Sequence, residues 1–222
     1  ACREAGNRDQ FLRAAEEALG APLEIVPGER EAELAFRGAR SGLDVRGAAS
    51  FVDVGGGSTE VIDADGGRMA ASVSLPLGAV ALTEERFRGD PYASEDVDRA
   101  RETIREVLAR VPFPMRDVVV GIGGTATTFA AMELGLGDYD GSRVHGLPVS
   151  RVAMAERVAR LAAMRAAERL GVRGLAPQRA DVIVAGGLVL LGILDLAGAA
   201  AMTVSDRGVR HGLLLDRLGA SG

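Results

Sequence analysis

The chain has 222 residues, 47% of them hydrophobic and 26% charged, with a net charge of −5. That length suits one large globular domain or one and a half, with a core that needs no disulfide. The acidic balance argues against general binding to DNA or to an anionic membrane, and a single cysteine, Cys2, excludes an internal disulfide, so a reducing, cytoplasmic setting is expected.

The opening stretch ACREAGNRDQFLRAAEE is charged and amphipathic, unlike a signal peptide, and it lacks an initiator Met, so the chain is expected to begin inside a longer protein. Phe11, Leu12, Ala15 and Leu19 follow helical spacing, with Gly20 as a stop. APLEIVPG reads as a short strand ending in a turn, and EREAELAFRGAR as a helix whose acidic start suits the positive end of its dipole. Three strand-like runs follow, Ser50 to Val54, Thr59 to Asp63 and Arg68 to Leu75, the last two joined by an ADGG turn. Two helices come next, in GAVALTEERF and SEDVDRARETIREVLARV. DVVVGIGG is then a buried strand entering a glycine turn, and TATTFAAMELG a helix capped by Thr125. GDYDGSRVHGLPVS is the longest loop. Ser150 caps a further helix, RADVIVAGGLVLLGILDLAG is a long apolar one too short to span a bilayer, AMTVS is a last strand and GVRHGLLLDRLG a last helix. Strand hairpins followed by strand–helix alternation indicate an α/β domain with a mixed sheet.

The chemistry concentrates in FVDVGGGSTEVI. Glycine weakens a strand, so three in a row between β-rich runs ask for close approach to the backbone at Gly55, Gly56 and Gly57. Such a hairpin can turn several N–H groups toward one anion. Asp53 at the strand end can hold a divalent cation that bridges to phosphate oxygens, and Glu60 can join it or orient a water. A tight turn between solvated acids is the competing explanation. In VVVGIGGTATTF a strand delivers Gly121, Gly123 and Gly124 to a helix N-terminus, an anion-binding arrangement that also occurs for packing reasons alone. In GEREAEL, one of Glu29, Glu31 and Glu33 could face inward as a general base, and periodicity does not choose among them. The basic side chains are all arginine, which rules out a Walker-type lysine. With two histidines and no CxxC or HxxxH spacing, a zinc site is not expected.

FVDVGGGSTEVI, SLPLGAVALTEERF, GIGGTATTFAAM, VHG and RADVIVAGGLVLLGIL…TVSDRGVRHGLLL, preceded by ACREAGNRDQFL and VPGEREAELAFRGA, together resemble the exopolyphosphatase/guanosine pentaphosphate phosphatase (Ppx/GppA) family. The resemblance covers almost the whole chain. It implies an α/β, ribonuclease-H-like fold of the actin/Hsp70/sugar-kinase superfamily, a mixed sheet flanked by helices. It also implies release of terminal phosphate from inorganic polyphosphate or from pppGpp, with Mg²⁺ or Mn²⁺. Carried over by motif, Glu31, Asp53 and Glu60 are the catalytic acids, Asp53 and Glu60 also being the metal carboxylates. Gly55, Gly56, Gly57 and Ser58 form the phosphate cradle, and Gly123, Gly124 and Thr125 a second phosphate loop. Arg3 and Arg179 are further phosphate or nucleotide ligands.

The family's opening phosphate loop, Asp-x-Gly-(Thr/Ser)-Asn-Ser, is absent. Residues 1–48 therefore resemble the end of a first ribonuclease-H-like domain and residues 49–222 a whole second one. Rival expectations are a non-catalytic alarmone- or polyphosphate-binding module, or an ATPase or kinase of the same superfamily. Neither polyphosphate nor guanosine penta- or tetraphosphate is preferred by the residues. A homodimer is the assembly that families of this kind suggest.

Overall fold

The structure, a computed structural model, describes residues 8–23 and 25–219. Helices α1 (Arg8–Leu19) and α2 (Gly28–Arg40) precede a meander of β1 (Ala49–Val54), β2 (Thr59–Asp65) and β3 (Arg68–Leu75). Then follow α3 (Ala79–Arg86), α4 (Ser94–Leu108), β4 (Val119–Ile122), α5 (Gly123–Glu133), α6 (Gly141–Val144), β5 (Pro148–Ser150) and α7 (Arg151–Ala162). The chain closes with α8 (Ala166–Arg169), a 3-10 turn at Pro177–Arg179, α9 (Ile183–Ala197), β6 (Ala201–Val204) and α10 (Val209–Arg217).

One six-stranded sheet has the order β3-β2-β1-β4-β6-β5. β1, β2 and β3 are antiparallel neighbours, β1, β4 and β6 run parallel, and β5 returns antiparallel on the edge. Helices cover both faces, as strands paired in parallel require. Side chains alternate along each strand, so Val52, Val54, Val61 and Val119 join the larger core under α3, α4, α5, α7 and α9. Phe51, Ile62, Val120 and Ile122 meet Phe36 and Ala39 of α2 on the opposite face. α9 is apolar all round because it is buried all round, the expected reading of such a helix. Its Gly186 and Gly192 lie where a Cβ would come within 2.6 Å of Thr125 on α5 and of Ile104 on α4.

α2 and α10 are held backbone to backbone. A Cβ on Gly38 would run into the carbonyl of Gly208, and one on Gly212 into that of Leu34. Asp216 of α10 accepts from Arg30 and Arg37 of α2, at 2.6 and 2.9 Å. This contact fixes the rotation and height of α2, and with it the direction of Glu31.

The expected strand in APLEIVPG does not form among the described residues there, which pair with no strand of the sheet. PVS, within the expected loop, is instead the short edge strand β5, paired with β6. Thr125 is not a cap: α5 begins two residues earlier, at Gly123, and the Thr125 hydroxyl is used elsewhere.

Candidate active site

Asp53 stands near the C-terminal end of β1, opposite Glu60 on β2 and beside Ile122 on β4. It points to the α2 face, where Glu31 of α2 shares with Asp53 and Glu60 a cleft of about 510 Å³, also lined by Ser58 and Ser74. With Glu29, which also lines it, four carboxylates thus meet in one half-buried space. Burial pushes the Asp53 carboxyl up from an ordinary 3.8 to about 6; the charge of Glu60, and more weakly that of Glu31, adds to the rise, while Arg179 opposes it. Glu60 is fixed by two hydroxyls that donate to the same oxygen, Oε1: Ser58 at 2.6 Å and Ser74 at 2.9 Å.

Beyond Asp53 the Gly55–Ser58 turn closes through a Gly55 N–H to Ser58 carbonyl bond of 2.9 Å. Its carbonyls face α3. Ala79 N–H donates to Gly55 O at 2.8 Å, and Val80 and Ala81 N–H donate to Gly56 O at 2.9 and 3.1 Å. Gly78 sits against the Gly56–Gly57 peptide, with no room for a Cβ. With the carbonyls bound on one side, the N–H groups of Gly56, Gly57 and Ser58 donate to no carbonyl among the described residues. None of the three glycines has a positive φ, so turn geometry does not call for glycine here. A Cβ on Gly57 would meet nothing within 4 Å; the space above the loop is open to a ligand.

The second glycine turn lies beside the first. Gly123, at φ +73°, converts β4 directly into α5. A Cβ there would strike the Asp53 carboxylate, and one on Gly124 the guanidinium of Arg179. Both side chains therefore lie against the N-terminal turn of α5, whose free amides and dipole favour anions. The Thr125 hydroxyl donates to Val54 O at 2.8 Å and is buried, so it is committed to β1 and not to a ligand. Arg179 makes no ion pair and no side-chain hydrogen bond with a described residue.

Farther out, the Tyr139 hydroxyl donates to Asp206, which with burial raises the proton affinity of the phenol. His145 lies 3.4 Å from Ser205 through Nδ1 and does not line the acidic cleft; burial and Arg207 hold its pKa down.

Glu31, Asp53, Ser58 and Glu60 are thus brought together by the fold, and Gly55–Gly57, Gly123, Gly124 and Arg179 adjoin them. Arg3 lies outside the described residues. Ser74 escaped sequence reasoning, although the exposed-face alternation of β3 carries it next to Glu60. No group of three or more His, Cys, Asp or Glu among the described residues is arranged to hold a metal ion alone. Asp53 and Glu60 nevertheless suit a hard cation that takes its remaining oxygens from substrate and water, and the repulsion from Glu60 that adds to the effect of burial on Asp53 is what a cation would relieve.

A mixed sheet of this order, with helices on both faces and a cleft at the carboxyl ends of its parallel strands, defines the ribonuclease-H-like class. Comparison with known proteins narrows this. The sequence matches the Ppx/GppA phosphatase family over residues 1–221. It is 35% identical to exopolyphosphatase 2 of Mycobacterium tuberculosis, over 99% of this chain and 73% of that protein. It is 31% identical to the guanosine-5'-triphosphate,3'-diphosphate pyrophosphatase of Vibrio parahaemolyticus, over 96% of this chain and 42% of that one. The crystal structure of the Aquifex aeolicus member of the family superposes with a TM-score of 0.89 at 33% identity, covering 98% of this chain and 71% of that one. The chain belongs to the Ppx/GppA phosphatase family.

Proposed function

We propose that the protein hydrolyses the terminal phosphoanhydride of inorganic polyphosphate, of pppGpp, or of both, by attack of water. The observation that carries this is the meeting of Glu31, Asp53 and Glu60 beside two glycine turns, the first with open space over Gly57 and the second lying against Asp53 and Arg179. The N–H groups of Gly56, Gly57 and Ser58 hold the terminal phosphate, and the N-terminal turn of α5 with Arg179 holds the phosphate next to it. Glu31, across the cleft, orients the water and takes its proton. Asp53 and Glu60 would hold a divalent cation, Mg²⁺ or Mn²⁺, which when bound neutralises charge on the transferring phosphoryl group. Ser58 and Ser74 keep Glu60 in place for that task. Little covalent chemistry is asked of the side chains; they position and stabilise. An acidic protein can bind a polyanion in this way because amide dipoles and a metal replace a basic surface.

In the same proposal residues 49–222 form a ribonuclease-H-like domain and residues 1–48 the end of a preceding one. The relatives named as exopolyphosphatase and as guanosine pyrophosphatase support both substrates alike. The test is phosphate release from long-chain polyphosphate and from pppGpp, with and without Mg²⁺, for the wild type, Glu31→Gln and Asp53→Asn. Metal-dependent release abolished in both variants supports the proposal. Release that survives both substitutions sinks it.

A further inference from the structure

Among the described residues the largest completely buried side chain is that of an arginine, Arg169 in α8. Its guanidinium has no carboxylate within hydrogen-bond reach; Asp90, half-exposed, is 3.9 Å away. Burying a charge without a close counter-ion is costly, and an apolar side chain would fill the space more cheaply. Each of its three nitrogens instead donates to an oxygen of the surrounding chain. Nε donates to the carbonyls of Leu161 and Met164 at 3.0 and 3.2 Å, and Nη2 to Met164 at 3.0 Å. Nη1 donates to the Ala180 carbonyl and to the Tyr92 hydroxyl, both at 3.1 Å. The Tyr92 ring lies 4.2 Å from the guanidinium carbon, and its hydroxyl donates onward to the Asp181 carbonyl at 2.8 Å.

Ala180 and Asp181 are the two residues that follow Arg179. The 3-10 turn presenting Arg179 is only three residues long and has no side-chain cap. Its far end is therefore tied down by two carbonyl contacts, one from Arg169 and one from Tyr92. That same end leads into α9, registered against α5 by Gly186 and Thr125. We propose that Arg169 and Tyr92 are positioning residues for phosphate binding: they clamp the backbone behind Arg179 so that its guanidinium stays over Gly124 when a polyanion pulls on it. This rests on Arg179 being a phosphate ligand, as proposed above.

The test is a double-mutant cycle on the full chain, reading the affinity for tripolyphosphate by calorimetry without added metal, beside thermal melts. Tyr92→Phe deletes both hydrogen bonds of the hydroxyl, the one to the Asp181 carbonyl and the one accepted from Arg169 Nη1, and keeps the ring. It is expected to weaken tripolyphosphate binding about threefold to tenfold, through loss of the positioning the hydroxyl supplies. In an Arg179→Ala background it is expected to change nothing further. Arg169→Lys, which keeps the charge and loses the fork, should behave in the same way and stands in if Tyr92→Phe does not fold. An equal loss in both backgrounds, or unchanged affinity in a folded Tyr92→Phe protein while Arg179→Ala does weaken binding, overturns the clamp. Unchanged affinity in Arg179→Ala itself overturns the phosphate role of Arg179 and the clamp with it.

Discussion

Asp53 sets up a conflict between stability and function whose size follows from the structure. Its native carboxyl titrates at about 6 against an ordinary 3.8, because it is buried beside Glu60 and Glu31. The native state therefore binds this proton more tightly than the unfolded chain does. Stabilisation from the protonated form is fully present below 3.8 and is lost as the pH rises through about 6. At about 1.4 kcal/mol per tenfold change in proton affinity, the ionised carboxylate costs the apo-protein about 3 kcal/mol at neutral pH. Asp53→Asn removes that cost. Urea unfolding in EDTA is expected to show the variant gaining on the wild type between pH 4 and pH 7, up to about 3 kcal/mol, and level above that. The same variant is expected to be inactive. A stability difference that does not change with pH would refute the account of Asp53 as a buried, repelled carboxylate.

Other consequences are separable by assay. Glu31→Gln should keep the wild-type melting curve while kcat falls about a hundredfold to ten-thousandfold, the usual loss of a general base. Gly124→Ala places a methyl group against the flexible end of Arg179, so stability should hold while KM for polyphosphate rises about tenfold or more, as expected for a displaced charged donor. Gly78→Ala instead meets the Gly56–Gly57 backbone, which cannot move aside; urea unfolding should report a loss of about 2 kcal/mol or more. Ser74→Ala leaves Glu60 with one of its two donors, and the Mg²⁺ concentration for half-maximal activity should rise, with Ser74→Thr restoring it.

The β1–β2–β3 meander was legible because alternating apolar residues and the two-glycine return at Gly66–Gly67 between β2 and β3 are local signals. β5 was not, since three residues hold no period and its partner, β6, comes fifty residues later in the chain. The choice of Glu31 over Glu29 and Glu33 came only by resemblance. Which of the three reach the cleft, Glu29 and Glu31 but not Glu33, depends on how α2 is rotated, and that is fixed by Gly208, Gly212 and Asp216 at the far end of the sequence. Thr125 misled because a threonine at a helix start usually caps; here a left-handed Gly123 starts the helix and frees the hydroxyl for Val54. Ser74, Tyr92 and Arg169 carry no motif at all, and only tertiary contact shows what they touch.

The bonding of the Gly55–Gly56 carbonyls to the start of α3 has a kinetic side. Flipping either peptide would break bonds to Ala79, Val80 or Ala81, so, in the proposed reaction, the amides opposite are aimed before any substrate arrives and remain aimed after phosphate departs. A polymer shortened one unit at a time meets an identical socket at every round, and no step of the cycle is given over to rebuilding it.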